Sequence, residues 1–371
     1  MNSSNMKYLA KLDHLRFIAA MLVVTHHFII EKITNNMWTS DLFFVDSIIL
    51  WIQKGTSGVS LFLVLSGFLF TLIVGAGAKK IIYHKFIYNR ILRIFPLVTI
   101  LIMIVIMLNR NNSNPIDILR LFTLQLNTGG DGSGWGNNIF PSGPIWTVAV
   151  EFQFYLIFPV IMLFFTKYGI RWIVTLISFF LLLKVMVFYV SQGYGDVHNP
   201  YWDFYHSILG RLDQFVIGIA YGIWYTTHDK KMSKIVAIAT ITLSILGLTI
   251  LFKNTNTIDT NLFASVFSFT LEAVLWGGII IGYLSMQFQS LMLERVSKVL
   301  AFLGGVSFSI YLLHVPTGFF INKLISLYFD GIGDWVVLFI KMIVVILVSS
   351  LSFYAIEKPF MGLRVKYLLD R

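Results

Sequence analysis

Long apolar runs recur along the whole chain and restrict the folds that it can adopt. Only 12% of its 371 residues are charged, against roughly 25% in soluble domains. A helix needs about 20 apolar residues to cross the hydrocarbon core of a bilayer, and in lipid it satisfies its backbone amides internally. We place spans at 12–30, 57–75, 94–108, 145–166, 172–191, 207–226, 234–252, 264–286, 299–322 and 335–356. The sequence predicts an all-α polytopic membrane bundle of about ten transmembrane helices, forming a single domain over residues 1–371.

Basic residues give the expected orientation. The net charge is +10, and the Lys and Arg residues lie mostly in short turns such as 76–93 and in the C-terminal tail. Positively charged loops stay on the cytoplasmic side, so both termini are predicted to be cytoplasmic. Because the charge is spread over turns, we expect membrane lipid as the surroundings and no nucleic acid partner. The chain has no Cys, which excludes disulfides, thiolate metal sites and a cysteine nucleophile.

Two ionisable residues stand out in the first span, LDHLRFIAAMLVVTHHFII. Arg16 and His27 are eleven residues apart, so they share a helix face and lie about 16 Å apart along the axis. Ionisable groups inside a membrane usually face a protein interior or a water-filled cavity and mark a functional site. This pair is the first candidate for catalytic chemistry.

Simpler roles for the same residues remain open. Arg16 could snorkel to the cytoplasmic interface with Asp13, three residues away, as its counter-ion. His26 and His27 could form structural bonds between helices. A metal held by His14, His26 and His27 is not expected, because no further ligand follows at a usual spacing.

Arg90 and Arg93 in KFIYNRILRIFP lie three residues apart, on one face at the start of a span. They could be ordinary anchors at the cytoplasmic interface. They could instead form an anion site, because paired guanidinium groups suit a phosphate-rich ligand that arrives from the cytosol.

A polar stripe marks the fourth span. Thr147, Glu151 and Tyr155 recur every four residues, and a carboxylate in lipid is costly unless it is protonated or paired. A structural salt bridge from Glu151 to Arg211 or Lys184 is the alternative to a functional role.

Two further motifs contain candidate groups. The small residues of GVSLFLVLSGFLF, among them Gly58, Ser66 and Gly67, predict close helix packing. In GGVSFSIYLLHVP, Ser307 and His314 lie two turns apart, too far for a direct bond within one helix. An acyl-serine mechanism is therefore disfavoured, and His314 is interpreted as a lining or packing group. Within the long segment 109–144, ILRLFTLQL is too short to span and is expected at the interface or dipping into the protein.

Taken in order, these motifs resemble those of the acyltransferase-3 family of bacterial membrane acyltransferases. The resemblance rests on LDHLRFIAAMLVVTHHF, GVSLFLVLSGFL, NRILRIFP, IWTVAVEFQFYLIFP, SFSIYLLHVP and the terminal IEKP, which cover almost the full chain. The signature arginine and histidine of the family fall on Arg16 and His27. The paired basic motif falls on Arg90 and Arg93, and the span glutamate falls on Glu151. The chain departs from the usual pattern at His14 and His26.

The resemblance implies transfer of an acyl group, usually acetyl, from cytoplasmic acyl-CoA to a hydroxyl of a lipid-linked or surface carbohydrate. His27 would be the general base, Arg16 would position the CoA moiety, and Glu151 would orient His27 or contact the acceptor. Arg90 and Arg93, with Arg16, would bind acyl-CoA as the donor, without a metal. The expected location is the inner (cytoplasmic) membrane, with no appended extracytoplasmic domain.

Two other classes of function fit the same residues. A transporter or flippase for a glycan or small anion would also place Arg, Glu and His along a polar intramembrane path. A structural or sensory membrane subunit is the third. The acceptor, the acyl chain, a possible acyl-histidine intermediate and the oligomeric state are not determined by the sequence.

Overall fold

The computed structural model describes residues 9–36, 43–108, 115–125, 127, 145–192, 200–228, 232–255, 261–286, 291–329 and 331–370. The helices in the first half are α1 (Ala10–Asn36), α2 (Phe43–Gln53), α3 (Ser57–Ile73), α4 (Tyr83–Leu108), α5 (Pro115–Phe122), α6 (Ile145–Tyr168) and α7 (Ile170–Gln192). Those in the second half are α8 (Pro200–His206), α9 (Ile208–Thr227), α10 (Lys234–Asn254), α11 (Ser268–Ser285), α12 (Leu291–Gly305), α13 (Ser307–Tyr328), α14 (Asp334–Ser352) and α15 (Lys358–Met361). Two π-helical turns, Phe263–Phe267 and Phe353–Glu357, precede α11 and α15. Strands β1 (Lys79–Ile81) and β2 (Leu368–Asp370) pair antiparallel.

The all-α membrane architecture agrees with the sequence, but ten spans are not reproduced. In the described ranges, eight helices are long and apolar enough to cross a membrane. A ninth span results if α2 and α3, bent by 66°, are taken as one. The expected span at 207–226 corresponds to α9, which is outside this set. Arg211, Asp213 and Gln214 on α9 are buried against other helices, so its polar face meets protein rather than lipid.

Two helix boundaries differ from the hydropathy pattern. Helix α4 begins at Tyr83, well before the expected span at 94–108, because a helix can continue from lipid into a basic interfacial segment without a break. The span expected at 299–322 is interrupted at Val306, directly after Gly305, where α12 ends and α13 begins.

Close helix contacts define the two ends of the bundle. An added Cβ at Gly58 would lie 2.3 Å from the Ala19 carbonyl oxygen, and one at Gly55 would lie 2.2 Å from that of Leu22. Helix α3 therefore runs antiparallel to α1. We call the end where α1 begins the basal end; there Lys11 donates to the Met286 carbonyl, just after α11. The opposite, distal end includes the bond from the Lys54 ammonium to the Thr255 carbonyl at 2.5 Å.

Small residues let α3 approach α9 as closely as it approaches α1. A Cβ on Gly67 would lie 2.1 Å from the Phe215 carbonyl oxygen, and one on Gly218 would lie 2.2 Å from that of Val64. Such contacts are typical of packing between membrane helices. The packing role predicted for Gly58 and Gly67 is confirmed at these positions.

Only part of the long segment 109–144 is described. Its apolar stretch forms α5, and Leu124, shortly after the helix, is buried in the core. The Asn127 side chain contacts Gln153 and the His206 carbonyl. Leu124 and Asn127 therefore contact the protein interior, whereas Ile116 and Leu119 of α5 are exposed. The remainder of the segment lies outside the described residues.

Candidate active site

His27 joins α1 to α13 through a direct contact with His314. The Nδ1 atom of His27 lies 3.0 Å from Nε2 of His314 and 3.0 Å from the Val23 carbonyl oxygen one turn earlier. His314 is fully buried, whereas the His27 side chain is exposed. The sequence predicts His314 only as a lining or packing group, whereas the structure places it in direct contact with the candidate base.

The carbonyl contacts assign a tautomer to each neutral imidazole. A carbonyl oxygen can only accept, so Nδ1 of His314, 2.7 Å from the Tyr311 oxygen, carries its proton and leaves Nε2 as an acceptor. Likewise Nδ1 of His27 carries a proton, shared between the Val23 oxygen and His314 Nε2. The lone pair of His27 is thus on Nε2, which has no hydrogen-bond partner in the described part of the chain.

This arrangement has the geometry of an oriented general base. One ring nitrogen of His27 is held by hydrogen bonds and the other is available to a reacting proton. In catalytic sites, a second group often bonds to the base and fixes its tautomer and orientation. Here the orienting group is a second imidazole.

The pair is anchored further through Tyr311. The Thr147 hydroxyl donates to the Tyr311 hydroxyl at 2.9 Å, and both residues are buried. Thr147 belongs to the polar stripe of α6, so this stripe reaches the helix that carries His314.

His26, next to His27, has a different environment. Its Nδ1 lies 3.1 Å from the Ile52 carbonyl oxygen, and its Cβ lies 2.9 Å from where a Cβ on Gly55 would be. His26 therefore serves the packing of α1 against the α2–α3 bend, as the structural interpretation of the histidines predicted.

Arg16 pairs with Asp13 at 2.6 Å, and their side chains are 32% and 11% exposed. The counter-ion predicted for Arg16 is therefore confirmed. The pair lies near the basal end of α1, and one edge of the guanidinium group remains accessible.

Glu151 lies deeper in α6 than Thr147, toward the basal end. It accepts a hydrogen bond from the Ser66 hydroxyl at 2.9 Å and another from Tyr155. The alternative salt bridge to Arg211 or Lys184 is wrong, because Lys184 pairs with Asp213 at 2.7 Å and Arg211 contacts other groups. No described contact joins Glu151 to His27.

Arg90 is enclosed by aromatic rings at the basal end. Its guanidinium carbon lies 4.9 Å from the Phe70 ring centre, 5.4 Å from that of Phe86 and 5.8 Å from that of Tyr155. Its Nε atom is buried without a hydrogen-bond partner among the described residues. A guanidinium group with an unfilled donor fits an anionic ligand.

Arg93, in contrast, has a structural partner. It donates to Glu357 at 3.0 Å, and this fully buried carboxylate also accepts from the Ser309 hydroxyl. Glu357, in the terminal IEKP motif, thereby ties α4 to α13 and to the end of α14. Of the two arginines predicted to bind an anion, Arg90 is the one with unfilled donors.

A third arginine completes the basic cluster. Removal from water, followed by the positive charges of Arg90 and Arg93, lowers the pKa of Arg364 below its ordinary value. The lowered pKa of Arg364 is about 9, so the guanidinium group stays charged at neutral pH. Arg364 reaches the cluster because Asn89 of α4 exchanges hydrogen bonds with the Val365 backbone. From the sequence, Arg364 is only one of several basic residues in the C-terminal tail.

Among the described residues, two groups of candidate functional side chains lie at different depths of the helix bundle. The contact of His27 with His314 lies in the distal half of α1, and a cluster of guanidinium groups lies at the basal end. The part of the chain that the structure describes contains no group of three or more His, Cys, Asp or Glu residues arranged to hold a metal.

Comparisons with known proteins agree with the order of the motifs. A family model described as an acyltransferase domain matches residues 9–354. A protein of Staphylococcus aureus (strain COL), named "Putative O-acetyltransferase", is 28% identical over 397 residues, which cover 98% of this chain and 59% of the relative. O-acetyltransferase OatA of Staphylococcus aureus (strain NCTC 8325) is 26% identical over 394 residues, covering 95% of this chain and 57% of that protein.

These two relatives are longer than the present chain, which spans less than two thirds of their length. An "Uncharacterized protein" of Haemophilus influenzae is 29% identical over 197 residues, covering 47% of this chain and 78% of that protein. No solved structure matches. Since the family model covers nearly the whole sequence, the chain belongs to this family of acyltransferases.

Proposed function

We propose that the protein is an integral membrane O-acyltransferase that moves an acetyl group from cytoplasmic acetyl-CoA to a carbohydrate hydroxyl. The observation that carries the proposal is the contact of His27 Nδ1 with His314 Nε2 and the Val23 carbonyl oxygen, which leaves Nε2 of His27 as the nitrogen that can accept a proton. A sugar hydroxyl is a weak nucleophile at neutral pH, so a positioned base accelerates its attack by ~10²–10⁴-fold.

The proposed reaction is a direct transfer. Nε2 of His27 takes the proton of the acceptor hydroxyl while its oxygen attacks the thioester carbonyl. The C–S bond then breaks, the acetyl ester forms, and the imidazolium returns the proton to the thiolate of CoA. Because His314 accepts from Nδ1 of His27, it holds the ring in place through both proton transfers.

The basic cluster supports an acyl-CoA donor. CoA carries several phosphate charges, and the cluster at the basal end includes Arg90, whose Nε is unfilled, and Arg364. Arg16 lies between this end and His27, about 16 Å from His27 along α1. An extended pantetheine arm has a comparable length, so the thioester can reach the base from a nucleotide bound at the basal end.

The location follows from the same proposal. The basal end, which carries most of the turns rich in Lys and Arg, is assigned to the cytoplasm. The distal end would then face the outside of the cytoplasmic membrane, and both termini would lie inside.

Replacement of His27 by alanine tests the base. In purified protein with radiolabelled acetyl-CoA and a panel of glycans, His27→Ala should reduce transfer at least a hundredfold, because the proton acceptor is lost. His26→Ala is the matched control, since it removes the adjacent imidazole but leaves Nε2 of His27 unchanged.

Normal turnover by His27→Ala, with an unaltered melting temperature, would refute the role of the base. A transporter predicts a different result, namely movement of the glycan across a vesicle membrane without release of CoA. The same preparation, reconstituted into vesicles, separates the two functions.

A further inference from the structure

A second cluster of buried charge is not used by the proposed reaction. The Arg211 side chain, only 1% exposed, lies between the rings of Tyr205 and Phe269, with its guanidinium carbon 4.4 and 4.1 Å from their centres. Its Nε donates to the Tyr205 carbonyl at 3.0 Å, and Nη1 lies 3.3 Å from both Ser60 and Gln214. A charged group enclosed in this way is costly unless its remaining donors meet a ligand or water.

Arg211 lines a cavity of about 30 Å³. This volume holds about two water molecules, or one hydroxyl-bearing carbon of a larger ligand. Glu272, which accepts from the Ser60 hydroxyl at 2.9 Å, forms another wall. The rings of Tyr201 and Phe252 also line the cavity. Its lining thus combines a strong donor, a strong acceptor and flat apolar surfaces.

This combination of groups favours a neutral, hydroxylated ligand. A hydroxyl can donate to Glu272 and accept from Arg211 at once, as paired polar groups in specific pockets do. An anion without a hydroxyl could contact Arg211 and Lys54, but it has no proton to donate to Glu272 and would be repelled by that carboxylate.

The cavity lies toward the distal end, and a chain of contacts connects it with the helix of His314. Its wall includes Lys54 and Thr255, which mark the distal end. The Tyr205 ring lies 5.0 Å from that of Trp146, whose neighbour Thr147 donates to Tyr311 on the helix of His314. The cavity is therefore on the side of the bundle away from Arg90 and Arg364.

We propose that this cavity binds a hydroxyl-bearing arm of the acceptor sugar, with Arg211 and Glu272 as its hydrogen-bonding partners. The identification of the ligand as the acceptor rests on the proposed function. The cavity shares no lining residue with the basic cluster of Arg90 and Arg364, so the two substrates would not compete for one pocket.

Direct binding tests the site without turnover. The full chain in detergent is titrated with methyl glucoside, methyl galactoside or N-acetylglucosamine, and with acetate as an anionic probe. Thermal stability and tryptophan fluorescence are recorded. Trp276 reports on the cavity because its indole donates at 2.8 Å to Ser57, which lines it. We expect saturable stabilisation by at least one sugar and none by acetate.

Glu272→Gln keeps the size of the side chain and removes its charge. It should weaken sugar binding about tenfold, as expected for loss of one charged hydrogen bond. Ser285→Ala is the matched control: Ser285 is a buried polar residue on the same helix that bonds only to the Ile281 carbonyl. Arg211→Gln should show the larger loss, and where that variant does not fold, Glu272→Gln decides.

Unchanged affinity in Glu272→Gln, stabilisation by acetate, or no effect of any sugar would overturn the sugar site. Sugar binding in a protein that never releases CoA would refute the proposed function and leave the sugar site standing. Transfer to a glycan with unchanged affinity in Glu272→Gln would refute the sugar site alone.

Discussion

The contact between His27 and His314 determines which nitrogen of the candidate base can act. Without an acceptor at His314 Nε2, the imidazole of His27 would keep only the Val23 carbonyl as a partner, and its ring would be less restricted. Second groups that fix the tautomer and orientation of a histidine are a recurrent feature of catalytic sites. His314 is a positioning residue in this sense, since it reaches the reaction only through His27.

Substitutions at His314 should separate positioning from packing. His314→Leu removes the acceptor and should lower kcat by about 10- to 100-fold with little change in KM for acetyl-CoA, because the donor site is distant. His314→Gln can again accept the Nδ1 proton of His27 and should restore most of the rate. Steady-state kinetics and the pH profile of kcat are the measurements.

The two variants remove the same aromatic ring, so a purely structural role predicts equal losses. Equal kcat values for His314→Leu and His314→Gln, at matched melting temperatures, would therefore contradict the positioning role.

Sequence reasoning identified His27 but not its partner. His27 was found because an ionisable group inside an apolar helix is costly, and that signal is local. His314 gives the same local signal, yet its partner lies 287 residues earlier on another helix. Only the packing of α1 against α13 brings the two rings together, and no spacing within either motif encodes it.

At the scale of elements, close backbone contacts determine how closely α12 packs against α1. An added Cβ at Gly304 would lie 1.9 Å from the Asp13 carbonyl oxygen, whereas one at Gly305 would meet nothing within 4 Å. Asp13 is also the partner of Arg16, so the position of α12 affects the geometry of that ion pair.

The two adjacent glycines therefore provide a matched pair of substitutions. Gly304→Ala should lower the melting temperature and impair acyl transfer, because α12 must move away from Asp13. Gly305→Ala should be neutral or slightly stabilising, since alanine is favoured over glycine in a helix by roughly 0.5–1 kcal/mol. Thermal unfolding in detergent compares them, and equal melting temperatures would exclude the close contact.

Hydropathy predicted the helical elements better than their ends. It identifies segments that prefer lipid to water, so it located α6, α7, α10 and α14 closely. It does not register where a helix continues outside lipid, as α4 does from Tyr83. It also treats α9 as a lipid-facing span, although the polar residues at its start are buried among other helices.

In the described part of the whole molecule, the basic cluster lies at the basal end. The cavity, which is lined by both basic and acidic side chains, lies toward the distal end. Arg93 is neutralised by Glu357, whereas Arg364 lies near the positive charges of Arg90 and Arg93. An excess of positive charge at a protein surface attracts polyanions, and the attraction falls as salt screens it. In the proposed function this end receives acetyl-CoA from the cytoplasm.

Membrane vesicles of opposite orientation test this assignment. Acetyl-CoA, which does not cross the bilayer, should bind to inside-out vesicles and not to right-side-out vesicles. Arg364→Gln should weaken this binding on the order of tenfold, as for loss of one charged contact to phosphate, and should reduce its dependence on salt. Lys366→Gln removes the same charge two residues away and should have a smaller effect.

Binding only to right-side-out vesicles would reverse the orientation, and equal effects of the two substitutions would mean that Arg364 acts only through net charge.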